Sequence, residues 1–141
     1  MVSRMFLRTL SNFGRRFDWA DNLTAGLKRA EKEVKPLMIV IHATGCPACK
    51  SLKTEFASDK TLLELSKKFV MVSAMDEEEP QGKEFKPDGM YYPRILFISP
   101  CGNVLSQIVN EHRANSDSKY FYSKTLDIKK SMNQVIKIID K

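Results

Sequence analysis

The chain is 141 residues long, 43% hydrophobic and 28% charged, with 23 basic against 17 acidic residues and a formal charge of +6. That length suits one domain able to bury a core without covalent staples, and three cysteines are too few for a disulfide framework. The excess charge does not point to nucleic acid: Arg4, Arg8, Arg15 and Arg16 all precede the first acid, Asp18, which leaves 19 bases against the 17 acids and no clustered basic face interleaved with aromatics.

In residues 1–17, Val2, Phe6, Leu10, Phe13 and Phe17 fall on one side of a hypothetical helix, with Arg4, Arg8 and Arg15 on the other. Such a basic amphipathic start fits a mitochondrial presequence, and equally an arm packed on a domain that spans residues 18–141. Met5-Phe6-Leu7 is too short for the apolar core of a secretory signal, and no run approaches the roughly 20 residues of a membrane-spanning helix. Phe17-Asp18-Trp19-Ala20 reads as a short edge strand. Asp21 or Thr24 then caps a helix whose stripe of Leu23, Leu27, Ala30 and Val34 turns inward and which Pro36 stops. Asn22-Leu23-Thr24 also matches a glycosylation sequon, but capping accounts for the same residues.

Leu37 to Ile41 is a continuous apolar run, the pattern of a strand buried on both faces. It leads into Gly45-Cys46-Pro47-Ala48-Cys49-Lys50, after which Cys49, Leu52, Lys53 and Phe56 recur at helical spacing. Cys46 therefore falls at a helix start, with Pro47 in the first turn, where its missing N–H and fixed φ are harmless. Unpaired amides and the positive end of the helix dipole favour a thiolate there, lowering a cysteine pKa from about 8.5 to roughly 3.5–7.5. Cys46 is the candidate nucleophile, and Cys49, turned toward the helix body, the resolving thiol. Two other readings stand beside this one. The pair could be half of a zinc site, with only Cys101, His42 and His112 as further ligands and no second pair at ligand spacing, or it could be two buried structural cysteines.

Ser58 or Asp59 starts another helix carrying Leu62, Leu63, Leu65 and Phe69 inward, and Phe69 to Met75 is a second strand. The acidic run Asp76-Glu77-Glu78-Glu79-Pro80 reads as a solvated loop, continued by turn chemistry at Lys86-Pro87-Asp88-Gly89. Tyr91-Tyr92-Pro93-Arg94 precedes a third strand, Ile95 to Ile98, where a proline at the strand's start is tolerated. Pro100-Cys101-Gly102-Asn103 is the expected turn of a hairpin into a strand from Val104 to Val109, with Cys101 a spectator thiol at its tip. Tyr120-Phe121-Tyr122 is an aromatic anchor, and Leu126, Ile128, Met132, Val135, Ile136 and Ile139 mark a closing amphipathic helix. Helices alternating with buried strands imply an α/β fold with a mixed central sheet flanked by helices.

A strand, Cys46-Pro47-Ala48-Cys49 at a helix start, and Tyr92-Pro93 before a further strand resemble the thioredoxin-like fold. More narrowly, Pro36-Leu37-Met38, Phe69 to Val72, the acidic run ending at Pro80, Pro87-Asp88-Gly89, Pro93 to Phe97 and Lys119 to Tyr122 resemble the endoplasmic-reticulum group of thioredoxin domain-containing protein 12 and the anterior gradient proteins. The resemblance runs from about Trp19 to the end. It implies a protein thiol-disulfide oxidoreductase acting on protein or peptide disulfides, with Cys46 attacking and Cys49 resolving, no bound cofactor, and glutathione as redox partner. It makes Pro93 a candidate cis proline and gives Tyr92 the role of offering backbone polar groups to an extended substrate. It also implies the endoplasmic reticulum lumen, against the mitochondrial or cytoplasmic location that the first residues leave open, and a monomer is expected. The rival function is a non-enzymatic client-binding module of the anterior gradient type. Three departures from the fold's usual pattern stand out: Gly45 replaces a tryptophan, Pro47 replaces a glycine, and Val40 stands where thioredoxin buries an acid, so no base is assigned to Cys49.

Overall fold

The computed structural model describes residues 13–140. Their sheet has the order β2-β1-β3, with β1 Leu37–His42, β2 Val70–Met75 and β3 Arg94–Ile98. The central strand β1 runs parallel to β2, from Leu37 opposite Val70 to His42 opposite Met75, and antiparallel to β3, from Leu37 opposite Ile98 to Ile41 opposite Arg94. Every residue of β1 is buried, because both faces of the sheet are covered. Successive side chains alternate between those faces. Met38 and Val40 enter one core with Leu52, Phe56, Leu62, Ile128 and Met132, contributed by α2 (Pro47–Ser58), α3 (Lys60–Ser66) and α4 (Thr125–Ile139). Leu37, Ile39 and Ile41 enter the other with Ala30 of α1 (Leu23–Glu33), Val72, Leu96 and Tyr120. The expected α/β architecture on a mixed sheet is what forms.

Several local expectations give way to stronger local forces. Instead of an edge strand at 17–20, Trp19 makes a single bridge to Met71, and the Ala20 amide donates to the Met71 carbonyl at 2.9 Å. Asn22, not Asp21 or Thr24, caps α1: its backbone is extended and its Oδ1 accepts from the Ala25 amide at 2.8 Å. Asp21 lies one residue too early for that bond, and Thr24 is already inside the helix. The helix ends before Pro36 can act. Val34 takes the left-handed conformation at φ 53°, donates to the Ala30 and Glu31 carbonyls, and is thereby turned out to 71% exposure rather than into the apolar stripe. Leu126 also faces outward, and α4 is held by Ile128, Met132 and Val135.

The turn after β3 forms, with the Ser99 amide donating to the Asn103 carbonyl and the Gly102 amide to that of Ser99. The strand expected at 104–109 does not form beyond a single Ile98–Val104 bridge. Its place beside β3 is taken by the aromatic segment: the Ile95 amide donates to the Tyr120 carbonyl at 3.0 Å, and Arg94 bridges Phe121. Tyr120 and Tyr122 are buried, as an anchor requires. Of the basic N-terminal segment, residues 1–12 lie outside the described residues, while Phe13 and Phe17 pack into the first core with ring centroids 5.1 and 4.7 Å from that of Phe56.

Candidate active site

β1 delivers the chain to the end of the sheet, where Ala43-Thr44-Gly45 turns it into α2. Gly45 has φ +74°, a left-handed conformation that side chains resist, although open space surrounds its missing Cβ. Backbone geometry, then, and not crowding, calls for glycine there. Cys46 follows as the N-cap residue of α2 with Pro47 at the first helical position, as its sequence setting predicts. The Cys49 amide donates to Cys46 Sγ at 3.1 Å, and the first turn of α2 holds no acid to oppose the dipole. Both features favour negative charge on Cys46 when it is reduced. The two sulfurs are joined as a disulfide, with Cα atoms 5.2 Å apart. Cys46 is half-buried and Cys49 only 4% exposed, so an incoming reagent meets Cys46 first. Cys101 is exposed at the tip of the turn after β3, its Sγ near Ser99 Oγ and Asn103 Nδ2.

Across from the disulfide lies the turn into β3. The Tyr92–Pro93 peptide is cis, and the Tyr92 carbonyl oxygen is 3.7 Å from Cys46 Sγ. Pro93 is buried and Tyr92 half-buried. What holds this turn is a pair to which the sequence alone assigns no role. Arg94 is fully buried, and its guanidinium donates to Glu79 Oε2 at 2.6 Å, to the Phe85 carbonyl at 2.9 Å and to the Tyr91 carbonyl at 2.9 Å. The other oxygen of Glu79 accepts from the Tyr92 hydroxyl, and that bond is the main reason the phenol pKa is raised. The acidic run is thus not simply solvated. Glu77 and Glu78 are exposed, but Glu79 is buried against Arg94, and Asp76 accepts from the Thr44 hydroxyl at 2.5 Å and the Thr44 amide at 2.9 Å. Those two bonds lower the Asp76 pKa and tie the loop before Cys46 to the end of β2. The one signal that could have exposed the pair is a lone arginine opening an otherwise apolar buried strand, which needs a buried acid as partner.

His42, the last residue of β1, is 4% exposed and shares a 2.8 Å hydrogen bond with Ser73 Oγ. Burial, helped by the charge of Lys53 and opposed by Asp76, lowers its pKa from 6.5 to about 4. Because the folded pKa lies below the unfolded one, the unfolded chain takes up the proton first as the pH falls. Stability is complete well above pH 6.5 and is lost on the way down toward pH 4, by about 2 kcal/mol between pH 7.5 and 5 from this group alone. Urea denaturation of the oxidised protein over that interval should show this slope, and His42→Gln should flatten it. Equal slopes in the two proteins would remove His42 from the acid response.

Comparison with known proteins agrees with this geometry. The family model described as "Thioredoxin-like" matches residues 18–100. Mouse anterior gradient protein 3 is 36% identical over 107 residues, covering 74% of this chain and 64% of the mouse protein. Human anterior gradient protein 2 homolog is 30% identical over 133 residues, covering 94% of this chain and 74% of the human one. The solution structure of a thioredoxin from Thermus thermophilus superposes with a TM-score of 0.63 at 20% identity, over 86% of this chain and 88% of that one. The family match takes in α1, all three strands and α2, which begins at the Cys46–Cys49 pair, so the chain belongs to the thioredoxin-like family, with the anterior gradient proteins as relatives.

Proposed function

We propose that the protein is a thiol-disulfide oxidoreductase acting on protein or peptide disulfides through Cys46 and Cys49. The observation that carries this reading is the asymmetry of the bonded pair: a half-buried cysteine at a helix N-terminus joined to a buried partner. In the reducing direction, the Cys46 thiolate attacks one sulfur of a substrate disulfide and expels the other as a thiolate, leaving a mixed disulfide on Cys46. Cys49, deprotonated, then attacks the Cys46 sulfur. The second substrate thiol leaves, two electrons have passed to the substrate, and the Cys46–Cys49 disulfide is restored. Run backward, the same exchange forms substrate disulfides.

The neighbourhood of Tyr92 and Pro93 faces Cys46 and suits an extended peptide bound by backbone contacts. Glutathione is the redox partner in this reading: two molecules reduce the pair and leave as glutathione disulfide. The likeness to the anterior gradient proteins supports the endoplasmic reticulum lumen as the compartment. Equilibrating the protein in glutathione buffers of graded ratio, followed by alkylation and mass measurement, tests the coupling. Cys46 and Cys49 should pass together between dithiol and disulfide, with Cys101 alkylated throughout. A pair that keeps one state between about −120 and −320 mV, the span of thioredoxin-fold and cellular potentials, would refute it.

A further inference from the structure

Arg94 is the largest fully buried side chain among the described residues, and it is charged. Stability by itself does not explain such a residue, since a buried ion pair can often be replaced by apolar side chains of similar volume without loss. Its contacts suggest another role. One guanidinium nitrogen holds the carbonyl of Tyr91, the residue before Tyr92. Another holds Glu79, whose second carboxylate oxygen holds the Tyr92 hydroxyl, and the guanidinium carbon lies 5.6 Å from the centroid of the Tyr92 ring. Tyr92 is therefore fixed at its backbone on one side and at the tip of its side chain. The group left facing the redox pair is its carbonyl oxygen, 3.7 Å from Cys46 Sγ.

We propose that Arg94 is a positioning residue of the redox site: with Glu79 it holds Tyr92 so that the Tyr92 carbonyl stands against the sulfur of Cys46. This rests on the oxidoreductase reading for its functional meaning, though not for its geometry. In the reduced protein, a Cys46 thiol can donate to that carbonyl, whereas a thiolate meets only its lone pairs. The carbonyl therefore favours the protonated sulfur and opposes the helix terminus and the Cys49 amide, which favour the anion. Arg94 thus limits how acidic Cys46 becomes. Releasing Tyr92 should make the thiol more acidic, stabilise the dithiol relative to the disulfide, and render the pair more oxidising.

The variant that tests this is Arg94→Leu with Glu79→Leu, which removes both charges together and leaves neither buried alone. The readout is the pH dependence of Cys46 alkylation in the reduced protein, with Met132→Ala as a control that weakens the core without removing either member of the ion pair. The paired variant should move the alkylation midpoint down by about half a pH unit or more, giving roughly threefold more thiolate below the midpoint. The control should leave it in place. An unchanged midpoint in a paired variant that still unfolds cooperatively would overturn the proposal, as would an equal shift in the control. Alkylation needs no turnover, so failure of the oxidoreductase reading, seen as absent turnover in the wild type, is distinct from failure of this one.

Discussion

Cys46→Ser is expected to lose disulfide-reductase turnover by roughly three orders of magnitude or more, the scale on which removing a nucleophile acts. The hydroxyl that replaces the thiol is not ionised near neutral pH and cannot form the mixed disulfide. Cys49→Ala should fail differently. Its Cys46 is still the more accessible cysteine at the start of α2, so attack proceeds, but nothing resolves the product and mixed disulfides accumulate on Cys46. Cys101→Ser should leave turnover unchanged, since that exposed thiol at the tip of the turn after β3 is bonded to neither Cys46 nor Cys49. Insulin reduction gives the rates, and non-reducing gels with mass measurement identify the trapped species. Near-wild-type turnover by Cys46→Ser would rule out the mechanism. Peptide binding without turnover in the wild-type protein would favour a client-holding module.

Breaking the buried ion pair from one side should give the largest loss of stability. Arg94→Ala leaves Glu79, 8% exposed, as an uncompensated carboxylate, and also strips donors from the Phe85 and Tyr91 carbonyls. The expected cost is about 3–5 kcal/mol, against a total of about 5–15 kcal/mol for a domain of this kind. Glu79→Ala should cost a similar amount, because Arg94 has no exposure to water. The paired replacement by leucines should recover most of the loss. Urea titrations of the three proteins, all with the Cys46–Cys49 disulfide intact, separate these cases. A single variant within 0.5 kcal/mol of wild type, a scale usual for exposed positions, would mean that the charge is far less confined than its burial indicates.

The helix that carries the cysteine pair was legible in the sequence because its signals are local. A strand of five apolar residues, a cysteine just before proline, and helical spacing after it are enough to place Cys46 at the N-cap and Cys49 inside. Two-sided burial of β1 was legible for the same reason. What the sequence hides is which distant groups meet. Glu79 and Arg94 are 15 residues apart and belong to different elements, and within an acidic run nothing local distinguishes the one carboxylate that is buried from its less buried neighbours. The missing strand after Val104 is the same kind of miss. Its β-branched and apolar residues after a turn suit a strand, but the edge of β3 is taken by Tyr120 and Phe121 from further along the chain. At Val34 the sequence misleads in another way: a β-branched residue is a poor choice for a left-handed cap, so the pattern predicts a helix running on to Pro36, whereas Val34 itself ends it.

The most direct test is site-resolved alkylation of the fully reduced wild-type protein across pH. Cys46 should react with a midpoint well below the ordinary thiol value of about 8.5, and Cys49 should lag behind both Cys46 and the exposed Cys101. Inert Cys46 and Cys49 beside a reactive Cys101, or a Cys46 midpoint no lower than that of Cys101, would contradict a thiolate poised at the head of α2.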